Sequence, residues 1–328
     1  MIQGRLFTNQ LQARRYPQTA LDAVLERLIA LDVPGKSHVE NYLRHKWRLN
    51  HKPRTLSSTF TSLMLFLTFY RGSGKRLEDI GRSDIEAFLE HEQDRGMNIS
   101  TVRLRLACLS AFLHYLMEQD ILPASLLKKT IKLKLPETLP RAINPKDVKK
   151  LLVVIDRIRD RALILLLLRT GIRIGEALSL TVHAIDMRDK KVHLHQGEKN
   201  SMGRVVYLSH DAYFAVKRWL SVRDRRREAI FYGQGSQALC YSAARSLFLR
   251  YIRRAHLDHK GYTVHCLRHT FASELLNAGM RLEVLQQLMG HQDIEVTRRY
   301  ARLTDRTREE EYFRAMAIIE KGGIDGDY

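Results

Sequence analysis

The chain has 328 residues, 45% of them hydrophobic and 28% charged, a globular balance that excludes a disordered polymer. Its 55 Lys and Arg against 36 Asp and Glu give a formal charge of +19, which points to a polyanionic partner and first of all to nucleic acid. The longest purely apolar run, Ala162 to Leu168, falls far short of the roughly 20 residues that span a bilayer, and the opening MIQGRLFTNQLQARRYPQ has no apolar core of a secretory signal, so a cytoplasmic, nucleoid-associated protein is expected.

Residues 1–36 read as an N-terminal extension holding one helix, Ala20 to Leu31. A helical domain follows over 37–132. Leu56, Phe60, Leu63, Leu67 and Tyr70 fall at three- and four-residue steps after Thr55, and Gly72-Ser-Gly closes that helix. Ser83-Asp-Ile-Glu86 has capping-box spacing and starts the next. Ser100 opens a third, with Leu106, Leu109, Leu113 and Leu116 on one face and Arg103 and Arg105 off it. Pro136 and Pro140 then break the helical pattern within KLKLPETLPRAIN, so 133–144 reads as a linker between domains.

The second domain, 145–328, begins with Asn144 as cap and Pro145 at the first helical position. A buried helix is expected from Arg161 to Thr170, ended by Gly171. Lys191–His195 and Arg204–Leu208 alternate as strands around the turn QGEKNSMG, forming a hairpin or a three-stranded edge sheet, and Ser209 caps the helix that follows. The fold class is therefore mainly α with a small β-sheet, in two domains. Cys108, Cys240 and Cys266 are odd in number and lack CxxC spacing, which suits reduced thiols better than a disulfide framework or a zinc site.

Basic residues cluster in two places. Lys217, Arg218, Arg223, Arg225, Arg226 and Arg227 crowd one helix and its end, and Arg250, Arg253 and Arg254 form a second patch. With Arg103 and Arg105, the residues Lys217, Arg218, Arg250 and Arg253 are the candidate phosphate contacts.

Six scattered residues are the candidates for chemistry: Arg173, Lys199, His265, Arg268, His291 and Tyr300. Their contexts are TGIRIGEALSL, GEKNSMGRVVYL, HCLRHTFASELLNAG, LMGHQD and TRRYARL, with a step of three from His265 to Arg268 and of nine from His291 to Tyr300. In these contexts the chain resembles the tyrosine site-specific recombinases, the phage integrase and Xer family, from about Ser37 to Tyr300. The resemblance implies a helical, SAM-like core-binding domain, a catalytic domain, and a clamp around duplex DNA. It also implies these six as the catalytic set, although the family's usual Gly-Lys-Gly is Gly197-Glu-Lys-Asn here.

The chemistry gives the same residue types a reason to stand together. Metal-free attack on a phosphodiester needs a nucleophile, charge neutralisation and a proton for the leaving oxygen. Tyrosine, with an ordinary pKa of about 10, must lose its proton as it attacks. Two arginines suit the non-bridging oxygens, Lys199 the 5′-oxygen, His265 the tyrosine proton and His291 the scissile phosphate. Because the 3′-phosphotyrosine keeps the phosphoester, rejoining needs no ATP and no cofactor. Tyr207, Tyr262 and Tyr312 are competing tyrosines, and a metal pair of His265 and His269 lacks a carboxylate cluster to complete it.

Implied partners are double-stranded DNA with inverted-repeat core sites and three further copies in a tetramer that exchanges strands through a Holliday junction. An accessory protein is left open. The segment 307–320 after Tyr300 reads as an amphipathic helix, which in the family docks on a neighbouring protomer. Among cellular roles, integration and excision for a mobile element stands first. An Xer-like chromosome or plasmid dimer resolvase, a type IB topoisomerase-like relaxing enzyme and an inactive DNA-binding regulator are the alternatives.

Overall fold

The structure is a computed structural model that describes residues 16–129, 131–135, 141–194, 203–233 and 238–290. It divides into two compact units, Met1–Glu137 and Thr138–Tyr328. The expected turn with Lys199, both linker prolines, His291, Tyr300, Tyr312 and the helix at 307–320 lie outside the described residues.

The first unit is helical: α1 (Thr19–Ile29), α2 (Lys36–Arg48), α3 (Pro53–Arg71), α4 (Arg82–Asp94) and α5 (Ile99–Glu118). The apolar stripes expected on α3 and α5 are buried in full, and they meet Phe88 of α4 and Val39 and Leu43 of α2 in one core. Asn98 caps α5, its side chain accepting the Ser100 N–H at 2.9 Å. Helix α4 starts earlier than the Ser83 spacing suggests. Asp84 reaches back and accepts the Gly81 N–H at 2.8 Å, so Gly81, not Ser83, is the cap.

The expected boundary at residue 36 does not describe this unit. Leu21, Val24, Leu25 and Leu28 of α1 enter the same core, Arg27 lies 4.7 Å over the Phe60 ring, and Trp47 Nε1 donates to Gln18 at 3.1 Å. An amphipathic helix buries its stripe where it can, and here it completes the bundle.

Arg105 also differs from expectation. Its side chain turns inward to pair with Glu92 of α4, a carboxylate that is 0% exposed and also accepts from Arg95 at 2.8 Å. Arg103, two residues earlier, is exposed.

In the second unit, α6 (Pro145–Val153) starts at Asn144, whose side chain accepts the Lys146 N–H at 2.9 Å. The central element is α7 (Ile158–Thr170), buried on nearly every side, as its run of leucines requires. Gly171 ends it in the left-handed conformation, φ 61°. The short α8 (Ile174–Leu178) leads to an antiparallel sheet of β1 (Ile185–Asp186), β2 (Lys191–Leu194) and β3 (Arg204–Tyr207) in that order. In it Val192 pairs with Val206 and Leu194 with Arg204. Helices α9 (His210–Val222), α10 (Tyr241–Arg254), α11 (Val264–Asn277) and α12 (Leu282–Met289) complete the unit around α7.

The start of this unit is bonded to α11. The Ile143 N–H donates to Thr270 Oγ1 at 2.8 Å, and that hydroxyl donates to the Cys266 carbonyl at 2.8 Å. Tyr262 donates to buried Asp147 at 2.8 Å, which commits one of the competing tyrosines to structure. No described helix is long and apolar enough to cross a membrane.

Candidate active site

A helix leaves its last carbonyls without intrahelical partners and carries negative partial charge at that end. The C-terminus of α12 meets this need with three guanidinium groups from three other elements. The Leu288 carbonyl accepts Arg204 Nε at 2.9 Å, the Met289 carbonyl accepts Arg268 Nη2 at 2.7 Å, and the Gly290 carbonyl accepts Arg173 Nη2 at 3.4 Å. Two of the six candidate residues, Arg173 and Arg268, are thus brought to one place.

Each arginine is aimed by its local structure. Arg268 sits on α11 at 3% exposure, and its Nη1 donates to the Gly171 carbonyl. Gly171 fits because it is left-handed and because a Cβ there would lie 2.2 Å from Phe271 Cδ1, one turn along α11 from Arg268. The turn that follows carries Arg173, the N-cap residue of α8, whose backbone N–H donates to Glu176 Oε2 at 2.7 Å. The Arg173 guanidinium also donates to Glu176 Oε1 at 3.2 Å.

Glu176 is the second centre of the site. Arg204, at the start of β3, meets its carboxylate with two parallel bonds, Nη1 to Oε1 at 2.9 Å and Nη2 to Oε2 at 2.8 Å. Burial on its own pushes the Glu176 carboxyl up, but the hydrogen bonds and charge of Arg204, then those of Arg173, outweigh it and hold the group below its ordinary value. Neither Glu176 nor Arg204 is among the six residues read from sequence. The spacing from Arg173 to Glu176 is that of an N-cap and its N3 carboxylate, a signal that points to Glu176. Arg204 carries no local signal, because its partners come from α8 and α12.

His265 lies exposed in the first turn of α11, and its ring stands edge-on to that of His269 with centroids 4.6 Å apart. Among the described residues no group of three or more His, Cys, Asp or Glu is placed to hold a metal ion. Of the candidate phosphate contacts, Arg103, Lys217, Arg218, Arg250 and Arg253 are exposed. Arg250 donates to buried Asp160 at 3.2 Å, and Arg105 is drawn into its ion pair with Glu92. Arg223 is buried and donates to the Ala229 carbonyl at 2.8 Å.

Residues 141–307 match the phage integrase family, and residues 39–120 match the phage integrase N-terminal SAM-like domain. The chain belongs to the phage integrase family, the tyrosine recombinases, enzymes that cleave and rejoin DNA. Among its relatives, the tyrosine recombinase XerC of Roseiflexus castenholzii is 31% identical over 291 residues, covering 81% of this chain and 88% of that protein. The Tn1549 transposon integrase, solved in complex with circular intermediate DNA, shares the fold at a TM-score of 0.68 and 22% identity, covering 80% of this chain and 94% of that one. XerH, solved after cleavage on a palindromic difH substrate, does so at 0.67 and 20%, covering 89% and 93%.

Proposed function

We propose that this chain is a site-specific recombinase that cleaves duplex DNA by attack of the Tyr300 phenol oxygen on a phosphodiester. The bond from phosphorus to the 5′-oxygen breaks as the bond to tyrosine forms, leaving a 3′-phosphotyrosine and a free 5′-hydroxyl. The observation that carries this reading is the pair Arg173 and Arg268, fixed side by side on the last carbonyls of α12. Two planar forks held in a protein frame are suited to the non-bridging oxygens, where charge grows in the transition state. His265 takes the tyrosine proton, Lys199 gives one to the leaving oxygen, and His291 hydrogen-bonds the scissile phosphate. Arg103, Lys217, Arg218, Arg250 and Arg253 supply phosphate contacts along the duplex.

Four copies on two duplexes with inverted-repeat core sites would exchange strands through a Holliday junction. The cellular role we propose is integration and excision for a mobile element. Resolution of chromosome or plasmid dimers is the second reading, favoured by the share of XerC that this chain covers. Exchange between the two ends of one element supports the first role, and exchange between identical sites on a replicon dimer the second.

Covalent trapping tests the reaction itself. Protein is incubated with labelled, nicked duplexes tiled across the DNA flanking its own gene, then run on a denaturing gel. An adduct is expected with the wild type and with Tyr312→Phe, and none with Tyr300→Phe. An adduct that survives Tyr300→Phe means that another residue is the nucleophile. Specific binding with no adduct in any sample would favour an inactive regulator.

A further inference from the structure

Three of the four charges at the α12 terminus are cations, and the single carboxylate among them is shared unequally. Glu176 and Arg204 are 10% and 11% exposed in their side chains, so neither charge is well screened by water. Arg204 takes both Glu176 oxygens in its fork, whereas the Arg173 guanidinium reaches only Oε1, and at the longer distance of 3.2 Å. Each of the three Arg204 nitrogens donates to protein, two to Glu176 and one to the Leu288 carbonyl. That leaves Arg204 poorly suited to a third phosphate clamp. Gly290 makes room for it, since a Cβ at Gly290 would stand 2.9 Å from Arg204 Nη1.

We propose that Arg204 is a positioning residue that occupies the Glu176 carboxylate and so keeps the Arg173 guanidinium available to the scissile phosphate. Glu176 has a second duty that Arg204 leaves undisturbed: accepting the Arg173 backbone N–H and fixing the turn. Without Arg204, a buried carboxylate would face Arg173 as its nearest cation and draw it into a full ion pair. The charge meant for the transition state would then be spent in the ground state. The proposal rests on the reading of Arg173 as a phosphate-binding residue.

This mechanism has a signature that loss of structure lacks: removing the negative charge as well should restore activity. Full-length wild type, Arg204→Gln, Glu176→Gln and the double variant are compared by single-turnover adduct formation on a nicked duplex. DNA affinity and the thermal unfolding midpoint are measured for each. Arg204→Gln is expected to slow adduct formation by about 100-fold, the scale of a misplaced catalytic group, with DNA affinity within about twofold of wild type. The double variant is expected to be about tenfold faster than Arg204→Gln, a coupling well outside additivity. The amide oxygen that Glu176→Gln introduces can still accept the Arg173 N–H, but a neutral group no longer captures the guanidinium.

Arg204→Lys carries the same comparison if the glutamine variant does not fold. It keeps a charge beside Glu176 without the fork, so it should be slower than wild type and sped up by Glu176→Gln. A double variant no faster than its Arg204 parent overturns the proposal while wild-type adduct formation leaves the catalytic reading intact. No adduct from the wild type overturns both.

Discussion

Arg268→Lys is expected to lower single-turnover cleavage by about 10²–10³-fold, the range for removing one preorganised transition-state donor. The substitution keeps the charge and removes the plane. Arg268 bridges the Gly171 carbonyl at the end of α7 and the Met289 carbonyl at the end of α12, and those two anchors set the direction of its guanidinium. An ammonium carries its three donors on one atom of a flexible stem, so it cannot span both carbonyls as two separate nitrogens do and cannot present a planar fork to a phosphate. Burial at 3% exposure also disfavours a compact, strongly hydrated charge. Adduct formation on a nicked duplex measures the effect, with DNA affinity as the control. A rate within about threefold of wild type would mean that Arg268 contributes charge alone.

The largest effect on stability is expected in the first unit. Arg105→Ala should destabilise it by about 3 kcal/mol, the lower end for breaking a buried ion pair, because Arg95 still holds one Glu92 oxygen. Glu92 is 0% exposed, so water cannot replace the lost partner. Replacing both Glu92 and Arg105 by leucine should recover most of the loss, since apolar side chains of similar reach remove the desolvation cost. Arg103→Ala, on an exposed position of the same helix, should stay within about 0.5 kcal/mol and weaken DNA binding instead. Urea denaturation of the full chain measures all three. A cost below about 1 kcal/mol for Arg105→Ala would show that the pair does not support the fold.

Arg103 and Arg105 also mark where sequence reading stops. Spacing places both off the apolar stripe of α5, and that much agrees with the structure. What separates them is Glu92 on α4, a non-local partner that no helical wheel contains. The same limit explains α1: its amphipathic pattern is plain, but periodicity does not say whose core the stripe completes. At α4 the presence of a helix start was legible and the cap was not: the Ser83 to Glu86 spacing falls two residues late, and the carboxylate that reaches back is Asp84, onto the Gly81 N–H.

In the site, Arg173 and Arg268 were named through the resemblance of their sequence contexts to the tyrosine recombinases, and the structure brings the two together at one helix end. The anchors that aim them are backbone carbonyls at two helix ends, which every sequence possesses and none displays. Asn144-Pro145 and Gly171 were readable for the opposite reason: the cap, the fixed φ and the left-handed turn are requirements of particular residue types.

The terminus of α12 ties three other elements to one short stretch of backbone. Leu288, Met289 and Gly290 are consecutive, so a shift of the final turn bears on the contacts of Arg204, Arg268 and Arg173 at the same time, while Glu176 still holds Arg204 and Arg173 and the Gly171 carbonyl still holds Arg268. A displacement in one short helix is therefore felt by all three guanidinium groups, and their remaining partners limit how far each can move. Each guanidinium thus has one support at the end of α12 and another elsewhere, so the three behave as a braced frame and not as independent side chains.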